Sequence, residues 1–433
     1  MRKSLANLSA LLMGWMTTLS GSSMAGELSL HPTFTTSLSG KPAAIISQSM
    51  PTAKPTSKLS VEVEAVVKGN TAFGLDLYHQ LRNQEGNLLF SPYSTSTALA
   101  MTYAGAKGQT ATEISQVLHF TLKQDSLHPA FASLMGMLNT KAQPKVQISV
   151  ANRLWGQKGY DFLKPFKQLT QDNYGAALEE VDFINATEES RRTINKWVEQ
   201  QTQQQIQNLI APDILNKNTR IVLTNALYFK GNWVKQFDPA LTKNQPFTVA
   251  PGQQVEVPMM SLEASVGYAE FDNLQVLELP YVGEDTSMVI LLPKNVDGLA
   301  GLEQQLTSEN LGSWLSSIKD DLCPERISLP KFKVNSTFEF KPVLSKMGMA
   351  SAFDDAADFS GMSGRQDLFL ANVIHKTFID VNEFGTTAAA STAAQGELRC
   401  GGEGFNANHP FIFLIRHIPS GSILFMGRVV NPS

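Results

Sequence analysis

Glu383-Phe384-Gly385-Thr386-Thr387-Ala388-Ala389-Ala390-Ser391-Thr392-Ala393-Ala394 is the stretch on which the fold turns. From Gly385 to Ala394 every side chain is small and uncharged. Composition alone would make this a solvated helix or a spacer. Its flanks argue otherwise, because apolar runs at 372–381 and 410–415 read as core strands, and a long charge-free loop between two such strands tends to be functional. Small uncharged residues are what a loop needs if it must later become a buried strand. In that state alternate residues Thr386, Ala388, Ala390, Thr392 and Ala394 would face the core, where a charge would cost several kcal/mol. The expectation is a loop built to insert into a sheet.

Outward from that loop, strand-like runs occur at 220–229, 274–279, 287–292, 326–332, 372–381, 410–415 and 423–430. Many are continuously apolar, the mark of strands covered on both faces. Helical periodicity comes earlier in the chain. Ala72, Phe73, Leu77 and Leu81 share one face, Ser91-Pro92 opens a second helix over 94–103, and Ile194, Val198, Ile206 and Leu209 predict a third over 194–209. Helices and strands interleave without βαβ regularity, which predicts an α+β domain of large, mainly antiparallel sheets surrounded by helices. No repeat or linker divides the body, so 61–433 reads as one domain.

The 433 residues are 42% hydrophobic and 17% charged, ample for a large core. A formal net charge of -4 supplies no positive field for phosphate backbones or anionic lipid, so the expected partners are proteins, with no nucleic acid and no membrane among them. Arg2 and Lys3, an apolar stretch over 5–19 and small residues ending at Ala25 have the build of a cleavable secretory signal. Asn7, Ser9, Thr17 and Thr18 break the apolar run and argue against a membrane anchor. Residues 1–25 are therefore expected to be a signal peptide, placing the protein outside the cell or in a periplasm. Residues 26–60, rich in Ser, Thr, Pro and Ala, read as a flexible leader.

No catalytic motif is present. Gly361-Met362-Ser363-Gly364 lacks the spacing of a nucleophile elbow and reads as a turn, and the seven histidines have no metal-ligand spacing. Phosphate-binding glycine loops are absent as well. The chain is expected not to be an enzyme and to need no metal or other cofactor.

Several further stretches align, in order, with one family. Asn87-Leu88-Leu89-Phe90-Ser91-Pro92-Tyr93-Ser94, Thr224-Asn225-Ala226-Leu227-Tyr228-Phe229-Lys230-Gly231-Asn232-Trp233, Met288-Val289-Ile290-Leu291-Leu292-Pro293 and Leu329-Pro330-Lys331-Phe332 lie in the body. His409-Pro410-Phe411-Ile412-Phe413-Leu414-Ile415 and Ile423-Leu424-Phe425-Met426-Gly427-Arg428-Val429-Val430-Asn431-Pro432 close it. With the small-residue stretch, these make the chain resemble a serpin over about 70–432. The resemblance implies the serpin fold with an exposed reactive loop at about 383–408, held above a five-stranded sheet in a metastable state. Insertion of a cleaved loop is a known form of strand addition and strain release. Residues Glu383, Gly385, Thr386, Thr387, Ala388, Ala389, Ala390 and Thr392 then form the hinge. Thr387, where many inhibitory members carry an acidic residue, would face outward after insertion.

The same resemblance puts the reactive bond at Arg399-Cys400, about sixteen residues after Glu383 and eleven before Pro410. A guanidinium fits a specificity pocket with a carboxylate at its base, so a trypsin-like serine protease is the implied partner, held as a covalent acyl complex by a monomeric inhibitor. The 15 residues from Gly385 to Arg399 would span roughly 50 Å when extended, at about 3.3 Å each. Ser91, Ser94, Asn225 and His375 are implied to form a polar cluster beneath the sheet opening, gating strand separation rather than performing catalysis. Gln204-Gln205 stands in place of a common Gly-Lys pair. Cys400 has three readings: a reactive thiol, a disulfide to Cys323, or a small residue without a role. Only Lys123 and Lys141 are basic in 116–143, so no sulfated polysaccharide cofactor is expected. Two other functions remain open: a non-inhibitory serpin acting as chaperone or carrier, and cross-class inhibition of a papain-like cysteine protease.

Overall fold

The computed structural model describes residues 59–139, 146–176, 178–322, 326–386 and 404–433. The signal and leader expected before residue 59 lie outside these residues, as do Thr387, Ala388, Ala389, Ala390, Thr392, Arg399, Cys400 and Cys323. Residues 56–433 make up one compact unit.

Among the described residues, three sheets carry the architecture. The six-stranded main sheet runs in the order Phe332–Glu339, Leu370–Asn382, Gly385–Thr386, Ile221–Asn232, Val146–Gln157 and Glu179–Val181. A seven-stranded sheet is centred on Phe411–His417 and Thr286–Pro293, and its Leu88–Phe90 edge pairs with Ser422–Val429. A four-stranded sheet runs Phe405–Asn406, Ile327–Pro330, Gln253–Leu262 and Lys243–Ala250. The principal core lies between the main and seven-stranded sheets, where Phe229 meets Phe425 edge-on at 6.2 Å. A second core fills the opposite face of the main sheet, under the helix Thr187–Gln201.

Most strand pairs are antiparallel, but the central pair of the main sheet is not. Leu370–Asn382 and Ile221–Asn232 run parallel, from Asn372 opposite Val222 to Phe378 opposite Tyr228. Above Phe378 they part, and Gly385–Thr386 enters between them antiparallel to both. The sequence periodicity could not reveal this direction, because a doubly covered strand is apolar throughout whichever way its neighbour runs.

Three other boundaries differ from expectation. The third helix ends at Gln201 rather than near Leu209, and Gln203 and Gln204 turn left-handed at φ 53° and 64°. Ile206 and Leu209 are nevertheless buried, because the chain folds back beneath the helix and supplies its apolar residues to the same core. The single run at 326–332 is two strands: Ile327–Pro330 belongs to the four-stranded sheet, and past Lys331 the chain enters the main sheet as Phe332–Glu339. Gly361-Met362-Ser363-Gly364 is not a bare turn, since Ser360–Ser363 forms one helical turn closed by Gly364 at φ 80°.

The second helix starts as its sequence dictates. Ser91 is extended and its hydroxyl accepts the Ser94 N–H at 3.0 Å, with Pro92 at the first helical position. Every residue of Pro92–Tyr103 is buried, so this helix is a rigid core beneath the main sheet.

Candidate functional site

The site is the seam between the two parallel central strands. At its upper end the chain leaves Leu370–Asn382, reverses over Glu383 and Phe384, and returns as Gly385–Thr386. The Phe384 N–H donates to the Asn382 side-chain carbonyl at 3.1 Å, which tightens the reversal. Gly385 has φ 143°, and a Cβ there would run into the Gly231 carbonyl oxygen, so the position requires glycine.

Glu383 anchors the reversal. Its carboxylate receives the Lys331 ammonium at 3.0 Å and the Thr242 hydroxyl at 2.9 Å, and only 7% of the side chain is exposed. Burial alone would push this carboxyl up, but its own backbone N–H, Lys331 and Thr242 outweigh burial and hold it below the usual carboxylate range. The Phe237 and Trp233 N–H groups donate to the Glu383 and Phe384 carbonyls, each at 3.0 Å, and the Trp233 indole donates to the Asn382 carbonyl at 3.0 Å. Thr386 is fully buried, and its hydroxyl meets the Tyr281 hydroxyl at 2.8 Å. Tyr281 stacks on Trp233 with ring centres 4.5 Å apart, and burial pushes its phenol up, so it stays neutral. Thus Thr386 points inward, as an inserting strand would require of it.

Lower on the seam, Ser91, Ser94, Asn225 and His375 come together at the top of the second helix. His375 and Asn225 are register partners on the two parallel strands, and their side chains also bond, the imidazole Nδ1 facing the Asn225 carbonyl oxygen. The Ser91 N–H donates to His375 Nε2 at 3.1 Å, which puts the imidazole proton on Nδ1 and makes it the donor to Asn225. Burial drives the His375 pKa down to about 3, so the ring is neutral at pH 7. Asn225 donates to Ser94 Oγ at 2.7 Å and also to Asn152 Oδ1. Ser94 Oγ donates to Asn152 at 3.0 Å, and the Asn152 amide returns to the Ser94 carbonyl at 3.2 Å.

Asn152 was not apparent from the sequence. Its strand, Val146–Gln157, alternates weakly, and its partners lie far away in the chain. Trp233, Tyr281, Thr242 and Lys331 were missed as anchors for the same reason, although Trp233 and Lys331 stand inside stretches that carried the resemblance.

The far face of the seam is covered. The helix Thr187–Gln201 and the segment after it pack Val198, Ile206 and Leu209 against a core that holds Ala226 and Tyr228 of one central strand and Ile374 of the other. Lys376 donates to the Gln207 carbonyl at 2.9 Å, and Arg153 lies over the Trp197 ring at 4.3 Å. Among the described residues no group of three or more His, Cys, Asp or Glu side chains could hold a metal, and no helix is long and apolar enough to cross a membrane.

The comparisons agree with this geometry. Residues 68–432 match the family model described as Serpin (serine protease inhibitor). The leukocyte elastase inhibitor of Bos taurus is 43% identical over 380 residues, covering 86% of this chain and 100% of that protein, and the Homo sapiens one is 41% identical over 381 residues with the same coverage. Among solved structures, Serpin48 of the insect Tenebrio molitor aligns with TM-score 0.77 and 35% identity over 87% of this chain and all of its own. Uncleaved ovalbumin aligns with TM-score 0.79 and 30% identity over 85% of this chain and all of its own. The chain belongs to the serpin family.

Proposed function

We propose that the protein is an inhibitor that traps trypsin-like serine proteases, cleaved at Arg399-Cys400 and completed by insertion of 385–399 into the seam. The observation that carries this reading is the wedge itself: Gly385–Thr386 already forms the first two residues of a strand antiparallel to both neighbours. The protease serine adds to the Arg399 carbonyl carbon and the amine of Cys400 leaves, which frees 385–399 to enter the sheet while still esterified to the enzyme. Translocation of the protease outruns hydrolysis of the ester by water.

Register supports the insertion. In the parallel ladder each residue faces the one numbered 150 below it, from Asn372 and Val222 to Phe378 and Tyr228. The wedge keeps that offset, with Val381 and Gly231 both opposite Thr386, and Asn382 and Asn232 both opposite Gly385. Extending the wedge in this register brings Thr392 between His375 and Asn225, on the same face as Thr386. The Thr392 hydroxyl can donate and accept, so it takes over the bond that the two strands give up there.

The relatives named leukocyte elastase inhibitor favour a second specificity, in which an elastase, with its small pocket, cuts at one of the small residues of the same segment. The signal composition supports action outside the cell or in a periplasm. A papain-like cysteine protease is a further target for a loop that presents Arg399.

The test is incubation with trypsin and, in parallel, with leukocyte elastase, followed by denaturing electrophoresis and mass spectrometry of the released C-terminal peptide. A stable complex with trypsin and a peptide starting at Cys400 is expected. A complex only with elastase moves the reactive bond, and cleavage by both without a complex refutes inhibition of these enzymes.

A further inference from the structure

From Gly385 to Leu398 every side chain is uncharged except that of Glu397. A carboxylate carried into a sheet without a partner opposes its own burial, so the foot of the seam must offer this one a cation if 385–399 is to enter completely.

The register of the wedge fixes where Glu397 would come to rest. Gly385 faces Asn232 and Thr386 faces Gly231, so each step along the loop is one step back along Ile221–Asn232. Continued downward, Gln395 falls opposite both Val222 and Asn372, the last point at which the two central strands are in phase. Between Asn372 and Leu370 the other central strand shifts register, so below Gln395 the newcomer can stay in step only with Ile221–Asn232. That strand's ladder runs on past Ile221, because the Gln157 N–H donates to the Arg220 carbonyl at 2.9 Å. Glu397 then stands directly opposite Arg220, and directly opposed residues of an antiparallel pair share one face.

Arg220 is suited to receive it. The residue is half-buried and has no ion pair among the described residues. Its Nη1 donates to the Lys217 and Thr219 carbonyls, at 2.9 and 3.1 Å, which holds the guanidinium at the foot of the strand. The positions diagonal to Glu397 on this side are Asn218 and Val222, and 370–372 across the seam are Leu, Ala and Asn, so no competing charge lies within reach along the ladder.

We propose that Arg220 is the end-stop of insertion, a positioning residue whose guanidinium receives the Glu397 carboxylate when the loop has fully entered. The pair is absent before cleavage and fixes the last rung before the esterified Arg399, so the loop cannot back out by a rung without parting two charges. This rests on the proposed insertion of 385–399 and adds to it the group that completes the added strand.

The experiment is a double-mutant cycle of the full-length protein, Glu397→Gln, Arg220→Gln and the double variant, each before and after cleavage at Arg399 by trypsin and separation from covalent complex. The readout is the unfolding midpoint on heating in urea. In the cleaved form the two substitutions should be coupled by about 2 °C, and the coupling should shrink in about 0.5 M salt. In the uncleaved form Glu397→Gln should leave the midpoint unchanged and the coupling should be zero, whatever Arg220→Gln costs through its two carbonyl bonds. Additive effects in the cleaved form, or equal coupling in both forms, overturn the proposal while leaving insertion standing. Cleavage that fails to raise the midpoint of the unmodified protein refutes insertion itself and takes this inference with it.

Discussion

Acidification should loosen the seam through His375. The buried ring is neutral and titrates near 3, against 6.5 for an unperturbed imidazole, so between these values the unfolded chain binds a proton that the folded one refuses. Stability from this group is complete above about 6.5 and declines as the pH drops toward 3. At pH 5 the loss is about 2 kcal/mol, from 1.5 pH units at about 1.36 kcal/mol each. Protonation would also set an Nε2–H against the Ser91 N–H, breaking the arrangement that lets Nδ1 hold Asn225. Burial holds His128, His409 and His417 low as well, so the wild-type curve alone cannot isolate one residue. The assay is urea unfolding of the wild type and His375→Gln at pH 7 and pH 5. The variant starts less stable, and the gap between the two proteins should narrow by about 2 kcal/mol on going to pH 5. Parallel pH dependences would refute the assignment of this titration to His375. After correction for the slower intrinsic exchange at pH 5, hydrogen-exchange protection at Ser91 and along 372–378 should fall in the wild type only.

Thr386→Arg would put a charge at a position that is already fully buried beside Tyr281, so it should lower the unfolding midpoint of the uncleaved protein as well as block completion of the strand; the variant should be cut by the target protease but should form no stable complex on denaturing gels. Glu383→Gln removes the charge that Lys331 and Thr242 hold, and because Lys331 is 38% exposed the expected cost is only about 1 kcal/mol, read as a lower unfolding midpoint and faster self-association on native gels. The Glu383 contribution is present above the usual carboxylate pKa and fades as the pH falls through its lowered value, so wild type and variant should converge in acid. Thr392→Val should leave the uncleaved protein unchanged and destabilise the cleaved form by about 1–2 kcal/mol, since His375 and Asn225 would then flank a methyl group, whereas Ser391→Ala, on the other face, should leave both forms unchanged.

The sequence exposed the parts of this fold that depend on local chemistry. Apolar runs located the strands because both faces are covered, the Ser91-Pro92 cap marked a helix start, and the charge-free stretch after Glu383 announced a segment able to be buried. Long-range relations were not legible. Nothing in the composition of Leu370–Asn382 tells that its partner runs parallel, and Asn152 meets Asn225 across 73 residues. The helix was drawn too long because Ile206 and Leu209 carry a period that folding back also satisfies. The departure at Gln204 gains a physical content from its φ of 64°: a side chain stands in a backbone conformation that glycine adopts freely.

From Asn372 and Val222 onward, the offset of 150 between the two central strands is constant and has an evolutionary corollary. A newcomer between them finds both neighbours already in phase, so the halves of the sheet need only move apart sideways and never slide lengthwise. That economy ties together two segments far apart in the chain. Loss or gain of one residue in either strand would turn every side chain beyond it to the wrong face on one flank only, and no newcomer could then match both. Indels inside 222–232 and 372–382 should therefore be tolerated only as matched pairs.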